Sequence, residues 1–155
     1  MTKNDANEQA PRPPAKPHAA LKRLEKLVGT WEIRGRTPDA KEDNILGRMT
    51  CEWMPGGFFL TQRGEIHFGG STIRTLEIIG YDPASDTFAA SVYSDMSGAV
   101  LAYHWDVRGN TVTHWTATDK YTGTFSEDGR ILSGGWKPIA SKGGMAYDAV
   151  MTRVD

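Results

Sequence analysis

Three histidines, His67, His104 and His114, lie outside the polar N-terminal stretch. They are the side chains here best suited to ligate a metal, hold an axial group or move a proton near neutral pH. A metal needs several ligands converging on one point. The register argued below puts His104 and His114 on opposite faces of one hairpin, so they cannot share an ion. One inward histidine with Cys51 is too few for a closed zinc site. No metal and no cofactor is therefore expected. His114, on the inner face, can be a polar handle for a ligand, an axial haem ligand or a general base. The competing reading is a histidine satisfied by a neighbour such as Tyr103.

The tryptophans are the second chemical feature. Trp31, Trp53 and Trp105 are expected to face inward, and Trp136 is not assigned a face. Inward rings either fill a core or line a cavity for an apolar or aromatic ligand. Trp31 is expected to plug one end, because barrel ends are filled and only the middle can hold a pocket. Carboxylates on strand-like runs include Glu52, Glu65, Glu77, Asp95 and Asp106. Nothing places two of them together inside, as glycoside hydrolysis would need, and they read as solvated. There is no G-x-S-x-G elbow, phosphate loop or dinucleotide fingerprint. Gly56-Gly57, Gly69-Gly70 and Gly143-Gly144 read as turns. No catalytic residue is assigned.

These residues need elements to position them. Residues 1–17 are polar and Pro-rich, with too little apolar surface to offset ordering entropy, and read as a disordered tail. Residues 18–155 read as a single domain. It begins with a short helix, since Leu21, Leu24, Leu27 and Val28 recur at helical spacing and Gly29 supplies a stop. So short a helix is not stable alone, and its leucines are expected to dock on the mouth of a barrel. From Trp31 onward the period is two. Strands are expected near 30–37, 45–54, 58–68, 72–80, 87–95, 99–107, 111–118, 121–126, 131–137 and 146–154, with Gly, Pro, Asn and Asp between them. A meander of this many strands hides its edges by closing. The fold class is therefore all-β: an antiparallel up-and-down barrel of about ten strands with a short N-terminal helix.

Two-residue turns set which side chains share a face. A turn at Gly109-Asn110 pairs Val107 with Val112 and Trp105 with His114 on one face. It pairs Asp106 with Thr113 and His104 with Trp115 on the other. A turn at Ser97-Gly98 adds Phe88, Ala90, Val92, Leu101 and Tyr103 to the first face, which is taken as the interior. Trp115 falls on the polar face, where a homodimer contact or a docked loop would account for it. A bulge at Asp82-Pro83 would break the parity, so the face is not extended to 72–80.

The chain has 155 residues, with Lys+Arg 18 against Asp+Glu 19. That near-balance gives no pull toward nucleic acid or an anionic membrane surface. No apolar run reaches the roughly 20 residues of a membrane-spanning helix, and the N-terminus has no apolar signal core. A cytoplasmic protein is expected, with Cys51 a small buried hydrophobe.

Gly29-Thr30-Trp31 after a short helix resembles the G-x-W opening of the calycins, the lipocalin-like barrels. The run Leu76-Glu77-Ile78-Ile79-Gly80-Tyr81-Asp82-Pro83, with Phe88 and Tyr93-Ser94-Asp95-Met96-Ser97-Gly98, is similar to a bacterial family of lipocalin-like domains of unknown function. The resemblance implies a closed barrel with a central cavity and no particular reaction. Nitrobindin-type haem barrels open with G-x-W-x-G-x-G; Ile33 stands at the middle Gly, and no histidine follows His114. The leading expectation is a binding module for a small, mostly apolar ligand, with Trp31, Trp53, Tyr103, Trp105 and His114 at the site. The alternatives are an isomerase- or hydrolase-type enzyme using His114 and Tyr103, and a haem-binding barrel.

Overall fold

The structure is a computed structural model that describes residues 15–155. Most of the Pro-rich stretch, residues 1–14, lies outside the described residues. Ten strands follow one 3-10 helix, Ala19–Leu27. They are β1 (Gly29–Arg36), β2 (Ile45–Trp53), β3 (Phe59–Phe68), β4 (Ser71–Asp82) and β5 (Thr87–Ser94), then β6 (Ser97–Arg108), β7 (Thr111–Trp115), β8 (Asp119–Phe125), β9 (Ile131–Pro138) and β10 (Tyr147–Arg153). Each pairs antiparallel with its sequence neighbour, and β1 pairs with β10 to close the barrel. Number and order are those read from the period of two. β7 stops at Trp115, short of the expected 118. The Thr116 hydroxyl there accepts the backbone N–H groups of Thr118 and Asp119 and turns the chain early.

The helix is of the three-residue-per-turn kind. Leu21, Leu24 and Leu27 stand three apart, so they eclipse on one face, and all three are buried. They cover one end of the barrel. Beneath them Trp31, Leu60, Ile79, Phe88, Val107, Val112, Phe125 and Leu132 are buried and fill this end of the lumen. The helix is fastened around the rim. Arg23 and Arg108 both reach Asp86 at 3.1 Å. Lys26 Nζ donates to Gly109 O at 2.6 Å, and Trp53 Nε1 donates to Glu25 Oε1 at 2.6 Å. Arg153 donates to the carbonyls of Lys26 and Val28. Gly29 has φ 132, and a Cβ there would collide with the Arg153 guanidinium, so only glycine lets the chain turn from helix into β1.

The Gly109-Asn110 turn gives the expected register pair for pair: Trp105↔His114, Val107↔Val112, His104↔Trp115. The preceding turn does not. It lies at Asp95-Met96, with Ser94 opposite Ser97 and an irregularity before Val92↔Leu101. Phe88 consequently pairs with Trp105, and Ala90 with Tyr103. The slip is two residues, so every side chain keeps its face. Leu101, grouped above with the interior, is 43% exposed. Before His104, β6 has no β7 partner, and Leu101 sits on that unpaired stretch. Trp115 stacks on His104 across the strands, centroids 5.5 Å apart. No bulge interrupts the Asp82-Pro83 hairpin, which pairs regularly from Thr75↔Ser94 to Asp82↔Thr87.

Candidate functional site

Above the filled half, the lumen is empty. A cavity of about 190 Å³ opens there, lined by residues of all ten strands. Its walls differ. Strands β1, β2, β3 and β10 supply aliphatic side chains: Ile33, Ile45, Met49, Ile66, Ala149 and Met151. The other wall is a run of touching rings. Trp105 stacks on His114, centroids 3.8 Å apart and planes 18° from parallel. His114 lies 4.9 Å from Tyr103 and 5.1 Å from Trp136. Trp136 lies 5.8 Å from Tyr121. Larger hollows, up to about 420 Å³, are open and lie on the outer surface, for example among Arg48, Arg63 and Arg74.

At the centre of the site is a carboxylate that the expectation of solvated strand charges misses. Glu77 is 3% exposed and His114 8%. Trp105 Nε1 donates to Glu77 Oε1 at 2.7 Å, and His114 Nε2 lies 3.1 Å from the same oxygen. Burying a carboxylate costs several kcal/mol unless it is paired and hydrogen-bonded. Two partners on Oε1 offset part of that cost, and Oε2 takes no side-chain hydrogen bond among the described residues.

The tyrosines of the cavity are neutral donors. Burial raises the Tyr103 hydroxyl above its ordinary value, with the Glu77 charge adding to it. Burial pushes Tyr147 up to about 12 and Tyr121 up as well. Tyr121 is 4% exposed and its buried hydroxyl has no hydrogen-bond partner among the described residues. The ring lies over Gly123, where a Cβ would come within 2.6 Å of that hydroxyl. Leaving a buried hydroxyl unpaired costs about 1–3 kcal/mol. Cys51 lies below the cavity wall with its thiol pushed up to about 12, chiefly by burial; it is unreactive at neutral pH.

Tyr103, Trp105 and His114 come together on the cavity. Trp31 and Trp53 do not reach it. Trp31 is sealed beneath the helix with Nε1 on Leu27 O at 2.9 Å, and Trp53 is held by Glu25 at the rim. Four site residues were missed: Glu77, Tyr121, Trp136 and Tyr147. Glu77 was readable, since it shares parity with the apolar Ile79 and faces Val92 across β5. Tyr121 pairs with His114 and Trp136 with Tyr121, so one register carried two strands further would have found both. Among the described residues no three His, Cys, Asp or Glu side chains group to hold a metal ion, and no helix is long and apolar enough to cross a membrane.

Residues 14–130 match the family described as "Protein of unknown function (DUF1579)". Among solved structures, the protein Rv2717c from M. tuberculosis is similar in fold, with a TM-score of 0.61 over 90% of this chain and 100% of that one, at 16% identity. At that identity the likeness speaks for the barrel alone. No curated protein matches the chain.

Proposed function

This chain belongs to the family of unknown function DUF1579, and from that premise we propose that it is a lipocalin-like binding module holding a flat, mostly apolar molecule of about one ring in the upper half of its barrel. The observation that carries this reading is the two-walled cavity of about 190 Å³, rings on one side and aliphatic side chains on the other. A dry apolar cavity of about 150 Å³ accepts benzene, whereas drug-sized ligands need about 300–1,000 Å³. Ring-sized ligands therefore suit the space. Trp105, Tyr103 and His114 would contact the ligand; Trp31 and Trp53 would act by closing the other end.

Toluene and benzyl alcohol titrated against tryptophan fluorescence test it. Saturable quenching is expected, and Ala149→Leu, which fills the cavity from β10, should abolish it. Titration curves that never saturate in the unsubstituted protein would remove the reading.

One observation favours an enzymatic variant. The Glu77–His114 hydrogen bond orients an imidazole that shares the cavity with the Tyr103 hydroxyl, the arrangement of a base held by a carboxylate beside a proton donor. A haem does not fit these residues. His114 Nε2 is committed to Glu77, one face of its ring is covered by Trp105, and the space is below even the drug-sized range.

A further inference from the structure

The charge around the cavity says which ring-sized molecule fits it, an inference that rests on the cavity reading above. Among the described residues Glu77 is the one acidic side chain on the lining, and no Lys or Arg lines it. Trp105 donates to Oε1. His114 Nε2 lies 3.1 Å from the same oxygen and donates to it when that nitrogen carries the proton. With a neutral imidazole the cluster holds a buried negative charge with two neutral donors, and no Lys or Arg lines the cavity beside it. A buried charge without a countercharge is costly, and proteins retain one where something pairs with it. The ring wall that adjoins Glu77 adds to the same preference. Tyr103, Trp105, Trp136 and Tyr121 are aromatic rings, whose negative faces attract cations, and ammonium-binding sites are built from such rings. Tyrosine hydroxyls raised by burial stay uncharged and do not neutralise the carboxylate.

We propose that the cavity selects a small organic cation, a protonated or quaternary amine carrying about one ring, with its ammonium group at Glu77 and its ring between the aromatic and aliphatic walls. An anion of the same shape would meet a carboxylate with no compensating charge. A neutral isostere would fill the space and leave Glu77 as it is.

Three probes of one shape separate these cases: benzylammonium, benzyl alcohol and benzoate, each titrated calorimetrically into the intact protein. Benzylammonium should bind at least about tenfold more tightly than benzyl alcohol, the scale of a charge-assisted hydrogen bond with a cation–ring contact, and benzoate should give no saturable heat. Glu77→Gln, checked for folding by circular dichroism, should bring benzylammonium down to the level of benzyl alcohol. Equal binding of cation and alcohol, or binding of benzoate as tight as either, would overturn the cation assignment and leave the cavity reading standing. Absence of binding by all three would overturn both. The ranking in the unsubstituted protein is measured without any variant, so it decides the question even if Glu77→Gln fails to fold.

Discussion

The two halves of one lumen are built from the same strands with the same alternation, yet one is solid and the other hollow. Under the helix, inward positions carry Trp31, Phe88, Phe125 and Leu132, and three leucines close the top of the stack. In the other half the inward rings line up along one wall and lean on each other, and no helix covers them. The polar chemistry divides in the same way. At the covered end, the indole of Trp31 and the guanidinium of Arg153 bond to backbone carbonyls that the helix leaves free. At the hollow end, the indole of Trp105 bonds to another side chain, Glu77. The second oxygen of Glu77 takes no side-chain hydrogen bond among the described residues.

Substitutions at the two ends should therefore differ in size and in sign. Trp31→Ala removes the largest fully buried side chain from the solid half and should cost about 3–5 kcal/mol in urea unfolding. A loss under about 1 kcal/mol would mean that this end is not the structural one. Tyr121→Phe should do the opposite. It deletes a buried hydroxyl that has no partner, and stability should rise by about 1 kcal/mol. A clear destabilisation would show that the hydroxyl is satisfied after all.

The third difference is in acid. Hydrogen bonds from Arg108, then from Tyr81 and Arg23, hold Asp86 at about 2 against an ordinary 3.8. A carboxyl lowered on folding contributes stability that is complete above its unfolded value and is lost as pH falls through its folded one. The contribution of the helix rim should thus fade between about pH 4 and pH 2. Asp86→Asn should flatten that part of a melting-temperature profile. Asparagine tolerates the left-handed φ of 53 at this position, so backbone strain does not confuse the result. An unchanged profile would show that the Arg23–Asp86 fastening adds nothing at the covered end.

Which half is which could not be read from the sequence, and the reason is geometric. A period of two reports the face of the sheet, not the height along the barrel axis. Trp31 and Trp105 both obey it, and one became a plug while the other lines a cavity. Where turn chemistry is strong, register is legible: Gly109-Asn110 named every pair from His104↔Trp115 to Val107↔Val112. Where it is weak, register slips. Asp95-Met96 contains no glycine or asparagine, so Ser97-Gly98 looked the better turn. Glu77 was lost to a bulge that does not exist, because Asp82-Pro83 suggests an irregular turn and the four-residue connection in fact keeps the count even. The leucine interval of three in residues 21–27 fits the tight helix found there.

β6 is laced on one side only over its first half. It pairs with β5 at Ser97 and again from Leu101 onward, but meets β7 only from His104 to Arg108. Amides in residues 101–103 that point toward β5 are shielded, and those that point the other way have no strand to hold them. Deuterium uptake should accordingly alternate along this stretch, fast and slow by turns. The stretch lies beside Tyr103 on the cavity wall, so loosening it would open the lumen from the side and leave the helix cap undisturbed.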